Sequence, residues 1–196
     1  MREYHAPFEV GHFYHIYNQG NNKENLFREE RNYYFFLQRW QNYLNDYLEV
    51  WAYCLMPNHF HFLIRIKDEA SFPDETPVNK FLEVQFKRLF SSYTLSVNKV
   101  YDRSGSLFRK RFKRTLVDSQ EYLTTLIHYI HHNPIHHHFT DDFKCWHYSS
   151  YSAIIGNGLT KVEREKVMEL FGGRDRFIRF HSGLKEYKKI KPLLIE

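Results

Sequence analysis

The sequence predicts an α+β domain: a ferredoxin-like split βαβ antiparallel sheet with helices on one face, followed by a small helical C-terminal tail. Three observations carry this expectation. Strand-like and helix-like stretches follow one another in the order β-α-β-β-α-β-α. Two of the strand patterns are separated only by Pro57-Asn58, a turn dipeptide that makes them a hairpin. Residues 29–47, 78–100 and 118–132 carry their apolar side chains at helical rather than alternating spacing. At 196 residues the chain suffices for one such domain with a real core.

Each element has a local reason. Phe13-Tyr14-His15-Ile16-Tyr17 reads as the first strand, closed by the loop Asn18-Gln19-Gly20-Asn21-Asn22. The helix over 29–47 aligns Tyr33, Phe36, Leu37, Trp40 and Leu44. Strands over 50–56 and 59–66 flank the Pro57-Asn58 turn, and residues 67–77, with Pro73 and Pro77, read as a loop. The long helix over 78–100 buries Phe81, Leu82, Phe86, Leu89, Phe90 and Tyr93. Ser104-Gly105-Ser106 turns into a basic extended segment, 107–114, that ends in a fourth strand at Thr115-Leu116-Val117. Asp118 has the character of an N-cap, with Glu121 completing a capping box, and Pro134 is expected to stop that helix after about residue 132. Residues 1–155 would form the functional domain. Residues 156–196 would be an accessory segment with two short helices and a basic end carrying Lys185, Lys188, Lys189 and Lys191.

Composition narrows the function. The formal charge is +5, the pI is near 9.1, and 18 Phe, 15 Tyr and 3 Trp supply many rings. Cations meet phosphates and rings stack on exposed bases, so a nucleic-acid partner fits. Cys54 and Cys145 lie far apart without metal or redox spacing, and read as reduced thiols of a cytoplasmic protein. The first residues carry no apolar signal core and no apolar run reaches membrane length, so no membrane partner is expected.

The chemistry concentrates in two places. A strand sends alternate side chains to opposite faces, so His59 and His61 share a face while Phe60, Phe62 and Ile64 take the other. Two imidazoles roughly 6–7 Å apart at their Cα atoms are able to converge on one metal ion. The plainer reading is a pair of surface histidines. Downstream, Tyr129 and Asn133 stand four residues apart at the edge of an apolar helical stripe of Leu123, Leu126, Ile127 and Ile130. A tyrosine hydroxyl beside a divalent cation can attack a phosphate, and an Asn carbonyl is a suitable hard third ligand. The plainer reading there is a packing tyrosine and a helix-capping asparagine. Arg109, Lys110, Arg111, Lys113 and Arg114 are the DNA-binding candidates, interleaved with Phe108 and Phe112 as suits a single strand. Of the histidines in 128–138, two or three are expected beside Tyr129 and the rest in solvent, with no zinc site.

Met56-Pro57-Asn58-His59-Phe60-His61-Phe62-Leu63 resembles the His-hydrophobic-His (HUH) motif of single-tyrosine transposases. Tyr129-Ile130-His131-His132-Asn133-Pro134-Ile135 resembles their tyrosine helix in the REP-associated tyrosine transposase branch. Gly105-Ser106-Leu107-Phe108, Arg111-Phe112-Lys113, Glu121-Tyr122-Leu123 and Ser149-Ser150-Tyr151 add supporting matches, in order, across residues 10–155. The resemblance implies the HUH nuclease fold and a metal-dependent endonuclease and strand transferase. Such an enzyme acts on single-stranded DNA beside REP-like hairpins through a 5′-phosphotyrosine, as a monomer or homodimer. It carries over His59 and His61 as ligands of Mg²⁺ or Mn²⁺, Asn133 as third ligand where related transposases hold glutamine, and Tyr129 as nucleophile. Three departures bear on which DNA is recognised. His136-His137-His138 replace a basic and a small residue, Tyr148-Ser149-Ser150 replaces Trp-Ser-Ser, and Gln19 replaces an arginine. Two rival readings are a hairpin-binding protein that no longer cuts and a phosphoesterase that uses water.

Overall fold

Side-chain period places the elements of the computed structural model, which describes residues 5–67, 72–73 and 76–183. Strands β1 (Phe13–Gln19), β2 (Leu48–Met56), β3 (His59–Ile66) and β4 (Lys113–Val117) form one sheet in the order β2-β3-β1-β4. Every neighbouring pair is antiparallel. With helix α1 (Glu30–Leu44) between β1 and β2, and α2 (Val78–Val100) between β3 and β4, this is the split βαβ arrangement expected.

The helices, however, cover both faces of the sheet rather than one. Tyr14, Ile16, Leu55, Phe60, Phe62, Ile64 and Ile66 pack with α1 and α2 in a first core. Tyr17, Ala52, Cys54, Met56 and Leu63 point the other way, into a second core closed by helix α3 (Gln120–His136). The strands are apolar on both sides, so neither face is stable in water. Helices α4 (Tyr151–Ile155), α5 (Arg164–Phe171) and α6 (Arg174–Ser182) complete the second core through Tyr151, Ile154, Val167, Phe171 and Phe177. The lysines from 185 to 191 lie outside the described residues.

Two local expectations change. The N-cap of α3 is Ser119, whose Oγ accepts from the Tyr122 N–H, rather than Asp118. Pro134 does not stop the helix, which runs on to His136. A proline forfeits its own N–H, but here it stands in the last turn, and the His137 N–H still reaches the Asn133 carbonyl at 3.1 Å. Asn133 and Pro134 are both buried in this turn. The segment after Gly105, a glycine in the left-handed region at φ 81°, is looped before β4 begins. Arg111 sits at φ 59°, and this left-handed turn interrupts the extended path read from the sequence. Cys54 is buried and Cys145 exposed, both as free thiols. Among the described residues, no helix is long and apolar enough to cross a membrane.

Candidate functional site

The turn after β2 and the period of β3 set two histidines on the α3 face. His59 pairs across the sheet with Gln19 and Met56, and His61 with Tyr17 and Cys54. Small side chains at Ala52 and Cys54 let α3 lie close against the sheet, presenting Tyr129 and Asn133 one turn apart. The His61 and Tyr129 rings meet edge to face at 5.6 Å, and His59 Nε2 lies 3.1 Å from Asn133 Oδ1. All four residues are buried, none more than 2 % exposed. The structure therefore brings His59, His61, Tyr129 and Asn133 together.

Protonation decides what this cluster is able to hold. Burial, with a smaller push from His137, lowers His59 to about 3, so its ring is neutral and carries one proton. Yet two side-chain oxygens face it, Asn58 Oδ1 at 2.7 Å from Nδ1 and Asn133 Oδ1 at 3.1 Å from Nε2. A neutral ring donates to only one of them. With Nδ1–H on Asn58, the Nε2 lone pair and the Asn133 oxygen face each other. Their separation is close to the roughly 3 Å between adjacent ligands of an octahedral ion with bonds of about 2.1 Å. His61, held well below its ordinary value mainly by burial, is also neutral. Its Nδ1 lies 2.8 Å from His15 Nε2, and its own Nε2 is buried without a hydrogen-bond partner. Such an orphan costs about 1–3 kcal/mol unless a ligand engages it. This donor set, two imidazole nitrogens and one amide oxygen, fits a divalent cation such as Mn²⁺ or Mg²⁺. Among the described residues, no three His, Cys, Asp or Glu side chains converge on a metal position, so the set depends on the Asn133 amide.

Burial pushes the Tyr129 phenol up to about 12, opposed by a hydrogen bond from Asn133. It holds its proton at neutral pH. Nearby cationic charge is what makes such a phenol nucleophilic.

Sequence reasoning missed His15 and Asn58, which touch the outer nitrogens of the two candidate ligands. The signal for His15 was its place two residues from Tyr17, on the same strand face, but only the β1–β3 pairing brings it to His61. The histidine run divides. The His137 ring lies 4.4 Å from His59 and the His136 ring 5.9 Å from Tyr129, so these two flank the site. His131 is buried between His181 (2.9 Å) and Ser150 (2.8 Å), and His128 lies 3.2 Å from the Gly183 carbonyl. These fasten α6 to α3 rather than meet solvent.

The basic segment also divides. Arg109 N–H donates to the Gln19 carbonyl at 2.9 Å, and with the Gln19 amide oxygen turned toward it the guanidinium donates there as well (2.7 Å). Since Gln19 pairs with His59, Arg109 stands at the end of the sheet beside the site. Lys110, Arg111 and Lys113 are exposed, with the Lys113 ammonium 5.6 Å from the Tyr17 ring. Arg114 is a correction. It is 6 % exposed, bonded to Glu83 at 2.6 Å and stacked 4.6 Å over Phe8, so it serves the fold rather than meeting phosphate. Residue type alone gave no sign of this, because β4 alternation turns Arg114 toward the first core.

Comparison with known proteins places the chain in a family. The family model described as "Transposase IS200 like" matches residues 10–133, which include His59, His61, Tyr129 and Asn133. A Haemophilus influenzae protein assigned by name to the REP-associated tyrosine transposases is 28 % identical over 133 residues, 58 % of this chain and 73 % of that protein. The solved structure of a REP-associated tyrosine transposase bound to a REP hairpin shares the fold. It superposes with a TM-score of 0.61 at 16 % identity, covering 82 % of this chain and 88 % of the other. The chain belongs to the IS200-like transposase family, and is similar to two proteins that carry the name REP-associated tyrosine transposase.

Proposed function

We propose that the protein nicks and rejoins single-stranded DNA beside REP-like hairpins, with Tyr129 as nucleophile and His59, His61 and Asn133 as ligands of Mg²⁺ or Mn²⁺. The observation that carries this is the convergence of one buried phenol, two neutral imidazoles and one amide oxygen from β3 and α3. The cation supplies polarisation of the scissile phosphate and lowers the cost of a phenolate. Tyr129 Oη bonds to phosphorus as the bond to the 3′ oxygen breaks in line, leaving a 5′-phosphotyrosine and a 3′-OH that takes up the proton. A second 3′-OH reverses the step, and since one ester replaces another no external energy is needed. His15 and Asn58 hold the two imidazoles in place, and Asn133 hydrogen-bonds Tyr129. Arg109, Lys110, Arg111 and Lys113 are the cations left to meet phosphates. The hairpin partner is carried over from the related protein whose structure holds one.

One observation favours a rival. Tyr129 is fully buried without DNA, as suits a hairpin-binding protein that no longer cuts. A denaturing-gel assay separates the readings, using hairpin DNA from beside the gene, Mn²⁺, and wild type against Tyr129→Phe. A covalent band lost in the variant supports the proposal. Cleavage that survives in the variant points to water as nucleophile, and binding without cleavage to the rival.

A further inference from the structure

The face of the sheet opposite the candidate site carries a second feature. Between α2 and the loop 105–112 runs a groove of about 920 Å³. Its floor holds the half-buried rings of Phe90 and Phe112, and Leu95 stands 69 % exposed at its side. Lys87, Lys110 and Arg111 line it as exposed cations, none with an ion pair recorded among the described residues. The one acidic side chain there, Glu83, is already engaged by Arg114. The groove is thus cationic along its rim and apolar along its floor.

That combination selects its occupant. A duplex keeps its base faces stacked inside and offers a protein mainly phosphate, so rings in a groove floor are of no use to it. An unpaired strand offers phosphates to the rim and ring faces to Phe90 and Phe112 together. From Glu83 to Asn98, both on its wall, α2 rises about 22 Å, room for up to about six nucleotides at 3.4 Å each. The groove also leads to the candidate site. Asn18 lines it, and the next residue, Gln19, pairs with His59 on the far side of the sheet end.

We propose that this groove binds the unpaired DNA adjoining the hairpin and delivers it over the end of the sheet to the His59/His61/Tyr129 cluster. The inference rests on the function proposed above, and adds a separate station for unpaired nucleotides. The stem itself lies elsewhere.

Fluorescence anisotropy tests it with full-length protein and labelled hairpins, either blunt or with six unpaired nucleotides on the 5′ or the 3′ side. Wild type, Lys87→Glu and Leu95→Asp are compared; both positions are exposed, so folding is preserved. The expected result is an extension that tightens wild-type binding about tenfold or more. The variants lose most of that gain while their affinity for the blunt hairpin is unchanged. A 5-iododeoxyuridine in the extension should crosslink to peptides from α2 or the 105–112 loop. Variants that weaken blunt and extended hairpins alike would assign these cations to the stem. Variants that change neither would make the groove a solvated face, and a wild type indifferent to the extension overturns the groove alone. A wild type that binds no hairpin in any form removes the proposed function itself.

Discussion

His15→Phe is the most informative single change at the site. His15 is fully buried, and its Nε2 lies 2.8 Å from His61 Nδ1. Burial holds His15 down to about 3, so near neutrality it is uncharged, and in the tautomer that leaves the His61 Nε2 lone pair free its Nε2 accepts from the His61 Nδ1–H. That pairing is what keeps the proton off His61 Nε2, the nitrogen needed for a metal. Phenylalanine keeps the ring's shape and removes the acceptor. Leaving the His61 Nδ1–H buried and unpaired costs about 1–3 kcal/mol, and moving the proton to Nε2 instead destroys the ligand. Loss of such an outer partner typically weakens metal binding about 10–100-fold, or about 1.4–2.7 kcal/mol, the same range reached from the hydrogen bond. Calorimetric titration with Mn²⁺ should show this loss in His15→Phe. His15→Gln, whose amide oxygen reaches the same place, should recover most of it. Equal Mn²⁺ affinity in wild type and His15→Phe, or an equal loss in the Phe and Gln variants, would refute the orienting role. A wild type without Mn²⁺ affinity would instead refute the ligand set.

Further outcomes are expected. Tyr129→Phe should abolish the covalent DNA adduct with little change in stability. Because burial pushes the phenol up to about 12, wild-type adduct formation should accelerate as pH rises from 7 to 9, and a flat profile counts against a phenol nucleophile. Arg114→Ala should destabilise the fold by about 1–3 kcal/mol, mainly through the gap left beneath Phe8, because Glu83 is half exposed and regains water, while leaving the salt dependence of DNA binding unchanged. Arg111→Ala should do the reverse, lowering the salt slope by about one, so matching salt slopes in the two variants would undo the division drawn between them. His15, His59, His61 and His131 all have folded values below the ordinary 6.5, so their contribution is fully present above pH 6.5 and lost as pH falls. The unfolded chain takes up those protons first, at about 1.4 kcal/mol per pH unit for each group. Four such groups acting together approach a domain's whole stability within one or two units. Urea midpoints followed by circular dichroism should therefore fall steeply between pH 6.5 and 5, and constant midpoints across that range would show that these rings are not buried neutral.

What the sequence disclosed depended on how local the responsible interaction was. His59 and His61 share a face because strand period is two, and Tyr129 and Asn133 share one because helix period is near four; both are visible within five residues. The meeting of the two pairs is tertiary, and only the resemblance of whole blocks anticipated it. His15 stayed hidden for the same reason, since strand pairing across 46 positions of sequence makes the contact. Pro134 misled because a proline costs a helix one hydrogen bond, here the one to the Ile130 carbonyl, without ending it when the next turn still closes, as it does from the His137 N–H to the Asn133 carbonyl. Arg114 misled because charge density says nothing of direction. In a strand, Lys113 and Arg114 necessarily point to opposite faces, so one of them had to enter the fold.

The same alternation ties the core to the chemistry. Phe60, Phe62 and Ile64 lock into the first core, and that locking, rather than anything at the site, fixes His59 and His61 on the other face. Trp40 stacks on Phe62 at 3.7 Å and Phe36 packs against Phe60 at 5.2 Å, so α1 holds β3 from behind. A slip of one residue in β3 would drive both histidines into an apolar core and three apolar side chains into the candidate metal site. Neither exchange is tolerable, because a buried imidazole without partners and a ligand set without nitrogens are both lost. The register is therefore enforced twice, once by apolar packing and once by the Asn58–His59 and His15–His61 hydrogen bonds. This double enforcement allows the site to keep a buried, unsatisfied nitrogen on His61 without the strand shifting to relieve it.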